Sequence, residues 1–385
     1  MAIVVEPGPS PGRALEEDRT MVERSDQIKK ALRGSGVVVK PPGLFVGTGS
    51  TMLNLACTGR ADDGFACGHY YLFVGDSDSG KTFFSMTCFS EAAKNPEFDD
   101  YRLIYNGPEG GALMDVARFF GKRVARRLEP PATVNGEPRH SRTAQEFYYH
   151  VDDAFSRGRP FIMVLDSQDS LSSEEEIKKF DKTKKASRRS RRDEKEEAKG
   201  SYGDSKAKIH SANLRRVLGP LEETGSILII INQTRDSFDP FVPSTYSGGR
   251  ALKFYATLQL WSSQAGKINR EVKGKERELG IRCKIRIKKN RVTGRDRTVV
   301  VPIYHSVGID DTGSMVDYLV SEKVWKCSEG VITVEGLGPT FLMKSEKLIQ
   351  YIEEKELVDD MKALVVDAWE SVEKACEVTR KNRYS

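Results

Sequence analysis

The residues best suited to chemistry form one glycine-rich stretch that fits the pattern G-x-x-x-x-G-K-[ST] at every fixed position. The stretch consists of Gly75, Asp76, Ser77, Asp78, Ser79, Gly80, Lys81 and Thr82. Loops of this kind cradle a polyphosphate with backbone N–H groups, while the lysine reaches the β and γ phosphates and the hydroxyl holds Mg²⁺. The stretch therefore predicts a nucleotide site in which Lys81 contacts phosphate and Thr82 contacts the metal.

The sequence on both sides of this stretch fits the same site. Residues 70–74 are aromatic and β-branched, as in a buried strand, and residues 83–94 can form a helix with an apolar face. A strand that leads through a glycine loop into a helix directs the positive end of the helix dipole at the phosphate position. A glycine-rich turn that fits by chance is the alternative, and the flanking strand and helix argue against it.

Two acidic side chains follow predicted strands at their carboxyl ends, the edge where ligands bind in doubly wound sheets. The predicted strand 101–105 leads into a turn with Glu109, a candidate base for orienting the water that attacks the γ phosphate. A solvated turn glutamate or a helix cap is an equal alternative for this residue. The apolar strand 161–165 ends in Asp166, which we expect to hold Mg²⁺ through water or to bind the Thr82 hydroxyl.

A further buried strand, 227–231, ends in polar residues that include Gln233, whose amide could sense the γ phosphate. The loop that follows carries Phe238 and Phe241 among Pro, Ser and Gly residues. Aromatic side chains on a polar loop are poor core residues and are suited to stacking on nucleic-acid bases.

Residues 172–208 are dominated by Glu, Lys, Arg and Ser and contain almost no apolar side chains. Such a segment cannot form a core of its own, and we expect it to be mobile when free. A solvated charged loop is the ordinary interpretation. Its cations are grouped, however, and a segment that leaves the ligand edge of the sheet is well placed to contact a phosphate backbone. The grouped cations include Arg188, Arg189, Arg191 and Arg192.

The composition is typical of a soluble, intracellular protein. The chain has 385 residues, 38% of them apolar, a formal charge of +5 and six cysteines. The cysteines and histidines lack the spacing of metal ligands, and no apolar run approaches the roughly 18 residues of a membrane span. The mild positive charge permits a nucleic-acid partner without requiring one.

The rest of the chain predicts a mobile tail at 1–20, a short amphipathic helix at 21–32 and a small C-terminal domain. Further helices are predicted at 113–128, 144–156, 209–223, 346–354 and 358–379, and further strands at 251–261, 282–288 and 299–304. The last two strands, joined by a turn at Thr293 and Gly294, should form an antiparallel edge of the sheet.

Together these motifs resemble the RecA family of homologous-recombination ATPases, most closely a divergent member of its bacteriophage type. The resemblance rests on GDSDSGKT at 75–82, MVLDS at 163–167, INQTR at 231–235 and GGRALKFYATLQL at 248–260. The segments KKNR at 288–291 and GIDDTGSMVDYLVSEKVW at 308–325 extend it.

The resemblance implies an α/β fold with three parts. An N-terminal tail and oligomerisation helix would occupy residues 1–43, a RecA-like P-loop ATPase core with a mostly parallel sheet residues 44–305, and a small α/β domain residues 306–385. Within the core, the charged insertion 172–208 stands where the family has a short first DNA loop, and residues 234–249 match the second DNA loop. The insertion contacts DNA or binds a partner protein, and the sequence leaves both open.

The resemblance also implies residue roles. Glu109 would be the catalytic carboxylate, Asp166 the metal-binding acid and Gln233 the γ-phosphate sensor. Lys289 and Arg291 match paired cations that reach ATP across a subunit interface, although the family's second cation is not Arg. The DNA contacts would include Arg235, Gly248, Gly249 and Arg250, the subunit interface Lys253 and Phe254, and the adenine contact Asp115.

The implied activity is that of a DNA-dependent ATPase that uses ATP and Mg²⁺, forms a helical filament on single-stranded DNA and exchanges strands with homologous duplex. A single-strand-binding protein or a loader is a further expected partner, and the expected location is the cytoplasm, that of a bacterial host if a phage encodes the chain. A non-catalytic RecA-like mediator and a hexameric helicase-type motor are the alternatives. The complete set of ATP-site residues argues against the first, and the GGRALKFY segment with the small C-terminal domain against the second.

Overall fold

The computed structural model describes residues 43–110, 114–189, 204–236 and 244–380. The predicted tail 1–20 and helix 21–32 lie outside these residues. The described strands are β1 (Phe45–Val46), β2 (Phe65–Ala66), β3 (Tyr70–Gly75), β4 (Arg102–Asn106), β5 (Leu128–Glu129), β6 (Ala132–Val134), β7 (Glu137–Arg139), β8 (Phe161–Leu165), β9 (Ile227–Asp236), β10 (Ser244–Tyr246), β11 (Leu258–Val272), β12 (Lys275–Asn290), β13 (Thr298–Tyr304), β14 (Gly308–Ile309), β15 (Lys326–Ser328), β16 (Val331–Val334) and β17 (Phe341–Lys344).

The helices lie on both sides of these strands and in the C-terminal part. They are α1 (Thr51–Thr58), α2 (Lys81–Lys94), α3 (Val116–Phe120), α4 (Lys122–Arg127), α5 (Ala144–Ser156), α6 (Glu174–Arg189), α7 (Asp204–Thr224), α8 (Arg250–Tyr255), α9 (Asp311–Ser321), α10 (Ser345–Glu354) and α11 (Val358–Ala375). Short 3₁₀ helices span Pro96–Phe98 and Gln168–Ser170.

One large sheet carries the fold, with the strand order β14-β13-β12-β11-β3-β9-β8-β4-β5 and β10 paired to β9. Strands β11, β3, β9, β8, β4 and β5 run parallel to one another, while β12, β13, β14 and β10 pair antiparallel. The α/β fold class with a mostly parallel central sheet is therefore confirmed. The carboxyl ends of β3, β9, β8 and β4 meet at one edge, where the predicted site residues Thr82, Glu109, Asp166 and Gln233 lie.

The central strands are buried on both faces, because helices cover both. Alternate residues of β3 belong to different cores: Tyr71 and Phe73 pack on one side and Leu72 and Val74 on the other. Such strands need continuous apolar sequences, which explains why FIMVL and ILIII were readable as strands.

One sequence prediction fails around residue 255. Residues 251–261 do not form one strand, because helix α8 occupies Arg250–Tyr255 and β11 starts only at Leu258. The apolar residues of both elements merge into one run in the sequence. Strand β11 then extends to Val272 and pairs with β12 in a long hairpin that turns at Lys273 and Gly274, a feature that the sequence analysis did not predict. The predicted antiparallel pairing of 282–288 with 299–304 is confirmed.

The predictions for one helix and for the charged insertion need correction. The helix predicted at 113–128 is broken into α3 and α4 by Gly121, whose φ of +94° lies outside the helical range. In the charged insertion, helix α6 runs over Glu174–Arg189 and α7 begins at Asp204. Charged residues with good helix propensity can therefore form a helix there without contributing to a core.

The C-terminal part contains the small sheet β15-β16-β17 and helices α10 and α11. Its buried residues, including Trp325 and Leu348, join the same apolar cluster as one face of the main sheet. The predicted domain boundaries at 43/44 and 305/306 remain predictions. In the described ranges, no helix is both long and apolar enough to cross a membrane.

Helix α11 is held to the main sheet by Glu373, which binds two arginines of the loop between β12 and β13. Its Oε2 accepts a hydrogen bond of 2.7 Å from Arg297, and Arg295 also donates to it. The bond from Arg297 lowers the pKa of the Glu373 carboxyl, although burial opposes the shift. The ionised pair therefore stabilises the docked helix.

We expect Glu373→Gln to lower the free energy of unfolding by about 1–2 kcal/mol at neutral pH, because charge-assisted hydrogen bonds are lost. A carboxyl whose folded pKa is depressed stabilises the fold above its unfolded pKa, and this contribution disappears as the pH falls through the folded pKa. The difference between variant and wild type should thus shrink in acid. Urea unfolding at several pH values measures it, with Glu377→Gln, a looser neighbour of Arg295, as the control. Equal loss at every pH would contradict the assignment.

Candidate active site

The glycine-rich stretch at residues 75–82, the phosphate loop, leads from β3 into α2. It requires glycine at two positions. Gly80 has a φ of +82°, and a Cβ there would lie 2.8 Å from both Cys283 Sγ and Ile303 Cδ1. A Cβ on Gly75 would lie 2.2 Å from the Ser262 carbonyl oxygen. The loop therefore packs directly against β11, β12 and β13, and its backbone N–H groups stay at the N-terminus of α2.

The Lys81 side chain is buried and donates to the Asp76 carbonyl oxygen and, at 3.4 Å, to Ser79 Oγ. Burial lowers the pKa of Lys81, and nearby carboxylates, Asp166 first among them, oppose the shift. The ammonium group thus lies inside the loop, where a bound phosphate would be.

Thr82 and Asp166 meet at the end of β8, as the sequence predicted. Thr82 Oγ1 donates to Asp166 Oδ2 at 2.6 Å, and the Tyr105 hydroxyl donates to the same oxygen at 2.9 Å. Burial raises the pKa of the Asp166 carboxyl, while these two hydrogen bonds lower it. Tyr105 was not predicted, because a strand tyrosine carries no signal of its partner on the neighbouring strand.

The loop after β4 places Glu109 beside this pair. Glu109 Oε1 accepts a hydrogen bond from Ser167, the residue that follows Asp166. The Gly107 N–H donates to His140 Nδ1 at 3.1 Å, and burial lowers the pKa of His140, which favours the neutral, accepting ring. His140 therefore supports the Glu109 loop from a distant segment, where no sequence pattern pointed to it.

The donor set suits a nucleotide with Mg²⁺. Among the described residues, no group of three or more His, Cys, Asp or Glu side chains is arranged to hold a metal ion by itself. Mg²⁺ is commonly held by one or two protein oxygens together with substrate phosphates, which Thr82 and Asp166 could provide. A cavity of about 520 Å³ adjoins the phosphate loop and is lined on its other side by Met114, Lys267 and His305.

Asp115, the predicted adenine contact, is exposed and caps helix α3, where its Oδ1 accepts the Arg118 N–H at 3.0 Å. It does not line the cavity, whereas its neighbour Met114 does. The adenine role of Asp115 thus remains a prediction.

Polar contacts join β9, at the base of the predicted second DNA loop, to the phosphate loop and to Asp169. Thr234 donates to the Asp76 side chain. The Gln233 N–H donates to Asp169 Oδ2 at 2.7 Å, and Arg235 donates to Asp169 Oδ1 at 3.0 Å. Strand β9 extends to Asp236, beyond the predicted end at 231, so Gln233 lies within the strand and pairs with Gly75 of β3. Asp169 is an additional participant that the sequence analysis missed.

The predicted second DNA loop ends in two glycines with positive φ, Gly248 and Gly249. A Cβ on Gly248 would lie 2.5 Å from Leu252 Cδ1, and one on Gly249 would lie 2.6 Å from Ala207 Cβ. Arg250 then starts helix α8, with its side chain exposed. Phe238 and Phe241 lie outside the described residues. So do Arg191 and Arg192, whereas Arg188 and Arg189 end helix α6.

Lys289 and Arg291 lie apart from the phosphate cavity of their own chain. Lys289 Nζ donates to the carbonyl oxygens of Lys253 and Phe254 at 2.8 and 2.7 Å, and Arg291 donates to the latter at 2.8 Å. Both cations therefore bind the C-terminal end of α8. The Phe254 side chain beside them is 64% exposed.

The chain is similar in sequence to a RecA family model and to curated RecA proteins. The family model described as the RecA N-terminal domain matches residues 190–310. Protein RecA of Cytophaga hutchinsonii is 28% identical over 308 residues, which cover 76% of this chain and 74% of the relative. Protein RecA of Corynebacterium efficiens is 27% identical over 361 residues, 89% of this chain and 82% of the relative. Protein RecA of Chlorobaculum tepidum is 27% identical over 315 residues, 79% and 75%.

Burial and, to a smaller extent, the nearby cations Arg291 and Lys253 together lower the pKa of Lys289 to about 8. We expect Arg291→Gln to raise the pKa of Lys289 toward the ordinary lysine value, because one repelling charge is removed. An NMR titration of the lysine side chains measures this shift. Arg286→Gln is the control, because Arg286 lies on β12 with Lys289 but forms its ion pair with Asp296. An unchanged pKa in Arg291→Gln would contradict the described cation pair.

Proposed function

We propose that this chain, a divergent member of the RecA family, is an ATP-dependent recombinase that forms a filament on single-stranded DNA and exchanges strands with homologous duplex. The observation that carries the proposal concerns three consecutive residues of β9: Thr234 donates to Asp76 of the phosphate loop, while its neighbours Gln233 and Arg235 donate to Asp169. A nucleotide site and a predicted DNA loop that contact adjacent residues of one strand are suited to ATP-controlled DNA binding.

In the proposed reaction, the phosphate loop binds ATP and Lys81 neutralises charge on its β and γ phosphates. Bound Mg²⁺, held near Thr82 and Asp166, would supply further positive charge to those phosphates. Glu109 orients the attacking water, and its hydrogen bond from Ser167 fixes the carboxylate. Gln233, which pairs with Gly75 at the start of the phosphate loop, senses the γ phosphate from β9.

Lys289 and Arg291 act on the ATP of a neighbouring subunit in this proposal. Their position beside the exposed Phe254, away from the phosphate cavity of their own chain, supports an intersubunit role. A cation supplied in trans stabilises charge that develops on the γ phosphate. Lys253 and Phe254 would lie in the same interface, so ATP would join adjacent subunits of a helical filament.

The DNA strand would contact the second loop, with Arg235 and Arg250 binding phosphates and Gly248 and Gly249 allowing close approach of the backbone. Helix α6 and the rest of the charged insertion would add contacts to DNA or to a partner such as a single-strand-binding protein or loader. A bacteriophage origin and work in the cytoplasm of a bacterial host belong to the same proposal.

Two substitutions separate binding from hydrolysis. We expect Lys81→Ala to abolish nucleotide-dependent DNA binding, because a ground-state phosphate contact is lost. Glu109→Gln should retain ATP binding while DNA-stimulated hydrolysis falls by about 100-fold or more, the usual size of a general-base effect. Nucleotide titrations and ATPase rates on single-stranded DNA measure both effects.

The exposed Lys94, at the other end of α2, and the exposed Glu137 supply matched controls. Lys94→Ala and Glu137→Gln should behave like wild type. Hydrolysis at the parental rate by Glu109→Gln would show that Glu109 is not the base.

A mixing experiment tests the intersubunit role of the cations. Lys289→Ala combined with Arg291→Ala in one chain, and Glu109→Gln in another, should each be inactive alone. Mixed on DNA, they should regain part of the hydrolysis, because one kind of interface joins an intact Glu109 to intact cations. Two proteins that assemble together on DNA and stay inactive would contradict action in trans.

A further inference from the structure

Asp169 binds both ends of the second DNA loop. On the incoming side, its carboxylate accepts the Gln233 N–H at 2.7 Å and the Arg235 guanidinium at 3.0 Å. On the returning side, it accepts the Ser247 hydroxyl. One side chain on the short helix after β8 therefore joins the two ends of residues 236–246.

Neighbouring contacts reinforce this closure. Gln168 Oε1 also accepts the Ser247 hydroxyl, at 3.1 Å, and Asn232 Nδ2 donates to the Ser247 carbonyl oxygen at 2.9 Å. Strands β9 and β10 pair between these points, with Thr234 opposite Tyr246. The base of the loop is thus fixed by side chains of β9 and of the short helix after β8.

The ion pair between Asp169 and Arg235 is asymmetric. The Asp169 side chain is 8% exposed, whereas that of Arg235 is 58% exposed. Within the described residues, Arg235 is the one cation that forms an ion pair with Asp169. A largely buried carboxylate depends on its partner, but an exposed guanidinium can bind a phosphate approaching from solvent. The carboxylate therefore occupies the place that a DNA phosphate would take at Arg235.

We propose that Asp169 is a positioning residue that holds Arg235 and the base of the second DNA loop until a DNA phosphate replaces its carboxylate at the guanidinium. The role rests on the proposed function, since Arg235 is the predicted DNA contact. Thr234, between the two Asp169-bound residues, donates to Asp76 of the phosphate loop. Nucleotide bound at the phosphate loop and DNA bound at Arg235 hence act on adjacent residues of β9. Separation of Asp169 from Arg235 couples nucleotide binding to DNA binding.

The first test is the concentration of single-stranded DNA that gives half-maximal ATPase activity. Asp169→Asn keeps an oxygen for the Gln233 N–H and removes the charge that competes for Arg235. We expect it to lower the half-activating DNA concentration about fivefold, the size expected for a partly exposed ion pair, with a smaller change in maximal rate. Arg235→Gln should raise that concentration, and in its background Asp169→Asn should have no further effect.

A purely structural Asp169 predicts a different pattern. If it only supported the loop, Asp169→Asn would weaken DNA activation just as Arg235→Gln does. That result, an unchanged half-activating concentration, or a gain that persists without Arg235, would overturn the proposal. Circular dichroism and urea unfolding of each variant establish that folding is retained.

Hydrogen exchange without DNA gives a readout that does not depend on the proposed function. The amides of Asp236 and of residues 244–249 should exchange faster in both Asp169→Asn and Arg235→Gln than in wild type, because each change opens the same ion pair. If the wild-type protein shows no DNA-stimulated ATP hydrolysis, the proposed function is refuted. The hydrogen-exchange rates would still decide whether Asp169 holds the two ends of the loop together. Unchanged exchange in both variants would overturn the role of Asp169.

Discussion

The hydrogen bond from Thr82 to Asp166 joins the phosphate loop to the end of β8, and the rest of the site depends on this junction. It requires β3 and β8 to end at the same edge although β9 lies between them, which a parallel sheet provides. Tyr105 and Ser167 then bring β4 and Glu109 to the same point. A change in the order or direction of these strands would scatter groups that must act together.

Sequence patterns identified the residues whose roles depend on the residues next to them in the sequence. The glycine loop, the apolar strands and the acid after β8 are each encoded within about ten residues, so their elements could be predicted. The antiparallel pairing of β12 and β13 was also visible from alternation and a glycine turn. Helix α8 was not, because its apolar side chains run directly into those of β11.

The residues that were missed act through contacts distant in sequence. Tyr105, His140 and Asp169 are ordinary tyrosine, histidine and aspartate residues in their own segments, and only the assembled sheet brings them to Asp166, Gly107 and Arg235. Lys289 and Arg291 show the opposite case, since sequence resemblance pointed to a role that a single chain cannot complete. The charged groups of Lys289 and Arg291 lie at the C-terminal end of α8 and not at the phosphate loop of the same chain.

The proposed function requires adjacent subunits to join through ATP on single-stranded DNA. Electron cryo-microscopy of the wild-type protein with single-stranded DNA and a slowly hydrolysed ATP analogue tests this requirement directly. We expect an extended helical filament in which Lys289 and Arg291 of one subunit face the nucleotide on the phosphate loop of the next. Closed rings, single subunits on DNA, or a filament with these cations turned away from the nucleotide would contradict it.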